Sequence, residues 1–134
     1  MALQFSVAVR NARLDAVEVT VGTTAKLALY SGAVPANCAA ATPSGLLATL
    51  TLPTDWMSGA SSGAKALLGT WTGTATGAGN AASFRVFASD GTTCGMQGTI
   101  TATGGGGDLT LDNINIASSQ TITITSWTLT DGNA

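Results

Sequence analysis

The hydrophobic period of this chain changes once, at Gly22, and most of the chain lies on the β side of that change. After Gly22, Thr, Val and Ile alternate with small residues, and clusters of Gly, Asn, Asp and Pro interrupt the runs. The runs predict about seven strands, over residues 26–31, 46–52, 65–74, 82–89, 92–103, 108–116 and 121–130. Short strands at such regular spacing, with no crossover helices between them, are typical of an antiparallel β-sandwich.

One amphipathic helix is predicted before Gly22. Its apolar residues recur at helical spacing and are Leu3, Val7, Leu14, Val17 and Val21. Ser6 is a suitable N-cap and Gly22 a suitable C-terminal stop, so the helix is predicted over residues 6–21. We expect the apolar stripe to be buried, and Asp15 and Glu18 to be solvated on the polar face.

Together these patterns predict one domain over residues 1–134. The fold class is mainly β, a jelly-roll-like antiparallel β-sandwich over residues 26–130 with one N-terminal α-helix. A chain of 134 residues can bury a sizeable core without metals or disulfides.

Several local details follow from turn chemistry and alternation. Asp90-Gly91 predicts a type I′ hairpin turn, and the glycine run 104–107 predicts a flexible hairpin connection. Apolar residues at 111 and 114, and at 124 and 127, cannot all face the core of unbroken strands. Bulges are therefore predicted near residues 112–113 and 126.

The composition excludes several function classes. The chain has no histidine, which removes His-based acid–base catalysis, Ser-His-Asp and Cys-His nucleophilic sites and His-ligated metals. Charged residues make up only 9%, with 5 Lys and Arg against 7 Asp and Glu and no basic run, so nucleic acid is not an expected partner. No stretch is long and apolar enough to span a membrane, and residues 1–5 lack a secretion signal. We therefore expect a non-enzymatic protein made in the cytoplasm, with an uncharged surface that is largely used in contacts.

Four features of the sequence could carry chemistry, and each favours a structural role. Cys38 and Cys94 are able to pair, but cytoplasmic synthesis favours free, mostly buried thiols. The run Gly104–Asp108 lacks the Gly-Lys-Ser/Thr ending of a phosphate loop. The spacing of Asp90, Asp108 and Asp112 matches no calcium-binding motif. The three tryptophans, Trp56, Trp71 and Trp127, are expected to serve the core or an interface rather than to stack on a sugar. No catalytic, cofactor-binding or metal-binding residue is assigned, and no cofactor is expected.

Several segments of the sequence resemble a family of small virion structural proteins of tailed bacteriophages, most of them of uncharacterised role. The similar segments cover nearly the whole chain and are residues 1–15 (MALQFSVAVRNARLD), 32–38 (GAVPANC), 52–57 (LPTDWM), 84–92 (FRVFASDGT), 105–113 (GGGDLTLDN) and 127–133 (WTLTDGN). The resemblance implies a virion component and carries over no catalytic residues.

The resemblance and the composition together predict a capsid cement or decoration protein on the outer surface of the phage head. Its expected partners are the major capsid protein and copies of itself, contacted through Thr-rich strand edges and loops 32–44 and 104–107. The first alternative is a tail, neck or fibre-associated structural protein. The second alternative is a carbohydrate-binding module on the virion surface.

Overall fold

The computed structural model describes residues 3–132 and places one helix before a series of short strands. Helix α1 spans Val7–Val21. The described part contains eleven strands rather than about seven: β1 (Lys26–Tyr30), β2 (Leu46–Thr51), β3 (Ala64–Ala66), β4 (Trp71–Thr74), β5 (Gly79–Asn80), β6 (Ser83–Phe87), β7 (Cys94–Ala102), β8 (Leu109–Leu111), β9 (Asn115–Ile116), β10 (Thr121–Ile124) and β11 (Thr128–Thr130). A mainly β chain with one N-terminal helix is therefore confirmed.

Both predicted ends of helix α1 are confirmed. The Ser6 hydroxyl accepts a hydrogen bond from the Val9 N–H at 3.3 Å, which satisfies one of the free N–H groups of the first turn. At the other end Gly22 adopts a φ of +94°, and its N–H donates to the Glu18 carbonyl at 2.8 Å. A glycine ends the helix in this way because it has no Cβ to clash at positive φ.

The predicted apolar stripe of the helix is buried only in part. Leu14 and Val21 are buried, and Val21 packs against Gly95 of β7 so closely that a Cβ at residue 95 would lie 2.4 Å from its methyl group. Leu3 and Val7 are 76% and 50% exposed, so the expectation that the whole stripe is buried is wrong. The stripe is covered only where the helix lies against strands.

Five strands form one curled, mixed sheet in the order β2-β1-β6-β7-β8. The first three pairs are antiparallel, but β7 and β8 are parallel, so the prediction of a wholly antiparallel arrangement is wrong there. Two-stranded ladders β4–β10, β3–β11 and β5–β9 accompany the sheet. An antiparallel bridge between Ala48 and Ala75 joins β2 to the end of β4, which brings the β4–β10 ladder beside the edge of the sheet.

The predicted strands 65–74, 108–116 and 121–130 are each divided in two. The first is divided at Gly69, whose φ of +75° turns the chain beside Pro53 and leads β3 and β4 into different ladders. The other two are divided where the inward-facing residues lose their alternation. The bulges predicted there are replaced by strand ends, because each half pairs with a different partner strand.

The β6–β7 hairpin is confirmed, but its turn is not type I′. Gly91 has a φ of +72°, whereas Asp90 is not at positive φ. The Asp90 carboxylate instead accepts the N–H groups of Thr92 and Thr93 at 2.8 and 2.9 Å. The hydroxyl of Thr93 and these N–H groups lower the pKa of Asp90 to about 2. An Asx turn therefore replaces the predicted two-residue turn.

The glycine run after β7 is a loop, as predicted, but it does not connect a hairpin. The chain folds back beside β7 and reverses again, so β8 pairs parallel to β7 with Ile100 opposite Leu109. The Asp108 carboxylate accepts the Thr99 N–H and hydroxyl at 2.8 and 2.9 Å. Thr101 accepts the Gly107 N–H at 3.0 Å. These side-chain contacts replace the backbone ladder that a hairpin would have formed.

The core is built around a row of aromatic rings. Ring centroids lie 5.9 Å apart between Trp56 and Trp71, 5.3 Å between Trp71 and Trp127, and 5.5 Å between Trp127 and Phe84. All of these side chains are buried, and the Trp56 indole N–H donates to the Gly22 carbonyl at 2.9 Å. The prediction that the tryptophans serve the core is confirmed, and they do not form an exposed platform for sugar stacking.

The Asp108 contacts give a test of the parallel β7–β8 connection. Asp108→Ala should lower the free energy of unfolding by about 1 kcal/mol, because the Thr99 N–H loses a charged acceptor. Urea unfolding measures the change. The control Asp112→Ala removes a single 3.3 Å contact with Thr103 and should cost clearly less. Equal effects of the two substitutions would contradict the role given to Asp108.

Candidate interaction surface

The side of helix α1 that faces the segment after β2 is polar. Asn11 accepts the Gly63 N–H at 2.8 Å, and Asp15 accepts the Ala60 N–H at 2.9 Å. Glu18 accepts the N–H groups of residues 56 and 57 at 3.1 Å each. These acceptors lie on one side of the helix because they are spaced by three or four residues. The expectation that Glu18 is solvated is therefore wrong, since its side chain is only 18% exposed, whereas Asp15 stays 48% exposed as expected. Both residues hold the helix to the segment that follows β2.

A buried lysine completes this contact. Lys65 of β3 is 3% exposed, and its ammonium lies 2.9 Å from Asp15 Oδ1 and 2.9 Å from Glu18 Oε2. It also donates to the Ser58 carbonyl at 2.7 Å. A buried ammonium is tolerated only when it is paired and hydrogen-bonded, so β3 requires the carboxylates of the helix.

The ionisation of this cluster follows from its contacts. The hydrogen bond from Lys65 lowers the pKa of Asp15. Burial alone would raise the pKa of Glu18, but hydrogen bonds from Lys65 and the Met57 N–H outweigh it and lower that pKa. Burial acts to lower the pKa of Lys65, and its bonds to both carboxylates raise it overall. A hydrogen bond to Glu18 raises the pKa of Asp55. Near neutral pH the helix underside therefore carries paired charges.

The side of helix α1 that faces away from the protein is apolar. We call Ala8, Val9, Ala12, Ala16 and Val19 the outer helix face. All of them are exposed, and Val19 is 81% exposed. An ordinary surface helix carries charged and polar residues on its outward side.

Arg13 is the charged residue at the margin of the outer helix face. Its guanidinium forms an ion pair with Asp131 at 3.1 Å and lies over the Phe5 ring at 4.9 Å from the centroid. Both interactions draw the side chain toward neighbouring residues, which leaves the alanines and valines of the outer helix face uninterrupted by charge.

The loop 31–45 is fastened across the outer face of the five-stranded sheet. Cys38 and Cys94 form a disulfide, so the prediction of free thiols is wrong. The loop returns over the sheet and brings Cys38 beside the start of β7. Because 56 residues separate the two cysteines along the chain, the sequence alone did not show this proximity. The predicted interface loop 32–44 is thus a fixed cover of this face.

A buried arginine holds the same loop. Arg85 of β6 is 2% exposed and donates to the Asn37 and Ala40 carbonyls at 3.2 and 3.0 Å and to the Gln97 side chain at 3.1 Å. Arg85 and Lys65 were missed from the sequence. The available signal was a single basic residue inside an otherwise apolar or small-residue strand.

The three aspartates weighed as calcium ligands are separated in the structure. Asp90 holds the β6–β7 turn, Asp108 contacts Thr99, and Asp112 contacts Thr103. Residues 3–132 contain no group of three or more His, Cys, Asp or Glu side chains placed to hold a metal ion. In the same part of the chain, helix α1 is too short and too polar to cross a membrane.

The Glu18 contact predicts a pH-dependent stability. A carboxyl whose pKa is lowered by folding stabilises the protein above its ordinary pKa, and this contribution is lost as the pH falls through the folded value. Glu18→Gln should therefore reduce the free energy of unfolding by about 1–3 kcal/mol near pH 7 and by less near pH 3. Urea unfolding at both pH values measures this difference. Asp112→Asn, at an exposed site, is the matched control and should stay within about 0.5 kcal/mol of wild type. Equal stability of Glu18→Gln and wild type near pH 7 would contradict the assignment.

Comparison with protein-family models, with curated protein sequences and with solved structures found no match. The resemblance of the sequence to phage virion proteins therefore stays a prediction.

Proposed function

We propose that this protein is a bacteriophage virion structural protein, a capsid cement or decoration protein that binds the outside of the assembled head and bridges capsid subunits. The observation that carries the proposal is the apolar outer helix face. Exposed contiguous apolar surface marks interaction sites, and a helix whose outward side is apolar is typical of one that is buried in an assembly. The partner is proposed to be the major capsid protein.

The polar underside explains how such a helix can stay in place before it meets a partner. Asp15, Glu18 and Lys65 fix the helix to the body with hydrogen bonds and charge. The apolar side is therefore presented outward without being needed for folding. A surface that is prepared in the free protein loses little conformational entropy on binding.

The distribution of charge supports the same role. Lys65 and Arg85 are buried, and Arg13 is paired with Asp131. With 9% charged residues in the chain, few charges remain to cover the exterior. Contacts with a capsid would then depend mainly on apolar burial and backbone hydrogen bonds, and only weakly on salt.

Reinforcement would be mechanical. Each copy adds buried area between neighbouring capsid subunits, and attachment at several points converts modest contacts into strong retention. We also propose that the curled sheet and the two-stranded ladders that cover it form a jelly-roll-like sandwich. A body that is cross-linked by a disulfide and a buried ion cluster is suited to transmit load.

The outer helix face gives a direct test of this role. Ala12→Lys places a charge in the centre of that face and should reduce occupancy on heads by roughly tenfold or more, because an apolar seam does not accept an unpaired ammonium. The control Ala78→Lys introduces the same charge at another exposed alanine, near β5, and should bind like wild type. Both variants should unfold at the wild-type urea midpoint. Wild-type occupancy of Ala12→Lys would remove the outer helix face from the proposal.

Heads made without this protein give a second test. They should assemble and package DNA but release it at lower temperature or after milder osmotic shock, and added purified protein should restore them. The temperature of DNA release is measured by heating the heads with a dye that fluoresces when it binds DNA. Heads that are fully heat-resistant but lack tails would overturn the cement role in favour of the tail or neck alternative.

A further inference from the structure

An open groove separates strand β10 from the segment that begins with β8. It has a volume of about 180 Å³, and its two long walls are residues 110–113 and 120–125. The β4–β10 ladder lies beside the β2 edge of the curled sheet, and β8 is the opposite edge of that sheet. The groove is therefore a gap in an otherwise nearly continuous ring of strands.

The β10 wall of the groove presents backbone groups that point away from β4. Opposite residues of an antiparallel pair alternate between bonded and non-bonded pairs. The Ala75 N–H donates to the Gln120 carbonyl at 2.8 Å, which makes this a bonded pair and places Thr121 and Thr123 in the non-bonded class. Their N–H and C=O groups thus point away from β4 and into the groove. Within residues 3–132 these N–H groups form no hydrogen bond outside the β4–β10 ladder.

The β8 wall is similar. The Leu111 carbonyl accepts the Thr103 N–H at 3.0 Å, so Leu111 directs its backbone groups toward the β7 side. Residues of a parallel strand alternate in direction, and Thr110 therefore directs its N–H and C=O into the groove. Both walls offer the donors and acceptors that an added strand requires.

The interior of the groove selects the kind of strand that fits. Ile116, Ile122 and Ile124 are buried beneath it, and Asp112, Asn113 and threonines surround the opening. A strand laid between the walls would have one face on the isoleucines and the other in water. It must therefore alternate apolar and polar residues.

We infer that the groove receives residues 3–6 of a second copy of this chain as an added β-strand. These residues read Leu-Gln-Phe-Ser, which alternates as the groove requires. They precede helix α1 and belong to no strand, Ser6 has an extended backbone, and Leu3 is 76% exposed. Leu3 and Phe5 would face the isoleucines, and Gln4 and Ser6 would face solvent. In its own molecule the segment lies beside helix α1, with Phe5 under Arg13.

Charge and area also favour a second copy. Asp112 is the ionisable side chain among the described residues lining the groove, and residues 3–6 carry none, so insertion buries no unpaired charge. One short strand covers less than the roughly 1,200 Å² that a stable interface buries. Reciprocal exchange between two copies doubles the area through a two-fold axis. This inference goes beyond the proposed function, since exchange leaves the outer helix face free.

The purified full-length chain tests this exchange without phage particles. Sedimentation from micromolar to near-millimolar concentration should show a monomer–dimer equilibrium. Amide exchange followed by NMR should show the N–H groups of Thr110, Thr121 and Thr123 protected in the dimer and rapidly exchanging in the monomer. A chain that stays monomeric throughout, or a dimer in which these amides remain unprotected, would overturn the inference.

Variants of the segment identify the inserted residues. Deletion of residues 2–5, which keeps the Ser6 cap, should abolish the dimer and the amide protection. Leu3→Lys should weaken the dimer by roughly tenfold or more, whereas the adjacent control Gln4→Lys should change its Kd by less than about threefold, because residue 4 faces solvent. Unchanged circular dichroism and thermal midpoint would show that the variants are folded.

Two outcomes would assign the groove elsewhere. A dimer that survives the deletion would place the contact outside residues 2–5. Protection of the three amides only after addition of phage heads would make a capsid segment the occupant. Either result overturns the proposed exchange. Neither result bears on the outer helix face, which Ala12→Lys tests separately.

Discussion

The buried Lys65 ammonium and the two helix carboxylates that neutralise it determine how this molecule is oriented toward its surroundings. Once Lys65 lies under helix α1, Glu18 must turn inward and the half-exposed Asp15 must contact the ammonium, since an unpaired buried charge costs far more than an apolar side chain left in water. Val9, Val19 and the alanines of the outer helix face are then directed outward. The surface proposed for capsid binding is therefore a consequence of charge burial in the body.

Sequence patterns predicted the elements of this fold better than their partners. The helix ends at Ser6 and Gly22 and the β6–β7 hairpin follow from local chemistry, namely a capping hydroxyl, a glycine at positive φ and an Asp-Gly turn. The parallel β7–β8 pair depends on Asp108 reaching Thr99 across a folded-back loop, which no periodicity encodes. Likewise, alternation showed that residues 124 and 127 needed a break between them, but not that the two halves join different ladders.

The candidate surface was the least predictable part, because the usual interpretation of amphipathic helices assigns charges to water. Asp15 and Glu18 are spaced as a polar face in the sequence, and only the position of Lys65 shows that this face is turned inward. The disulfide was missed for a related reason. Cytoplasmic synthesis favours free thiols, whereas the pairing of Cys38 with Cys94 depends on how loop 31–45 returns over the sheet.

The same disulfide changes what backbone cleavage can do to the protein. Cys38 and Cys94 enclose strands β2 to β6, including the Trp56 and Trp71 parts of the aromatic core. A peptide bond cut anywhere in that enclosed stretch leaves two fragments that stay covalently joined and share one core. After a single cut the molecule thus stays in one piece, and its two parts remain at high effective concentration for each other.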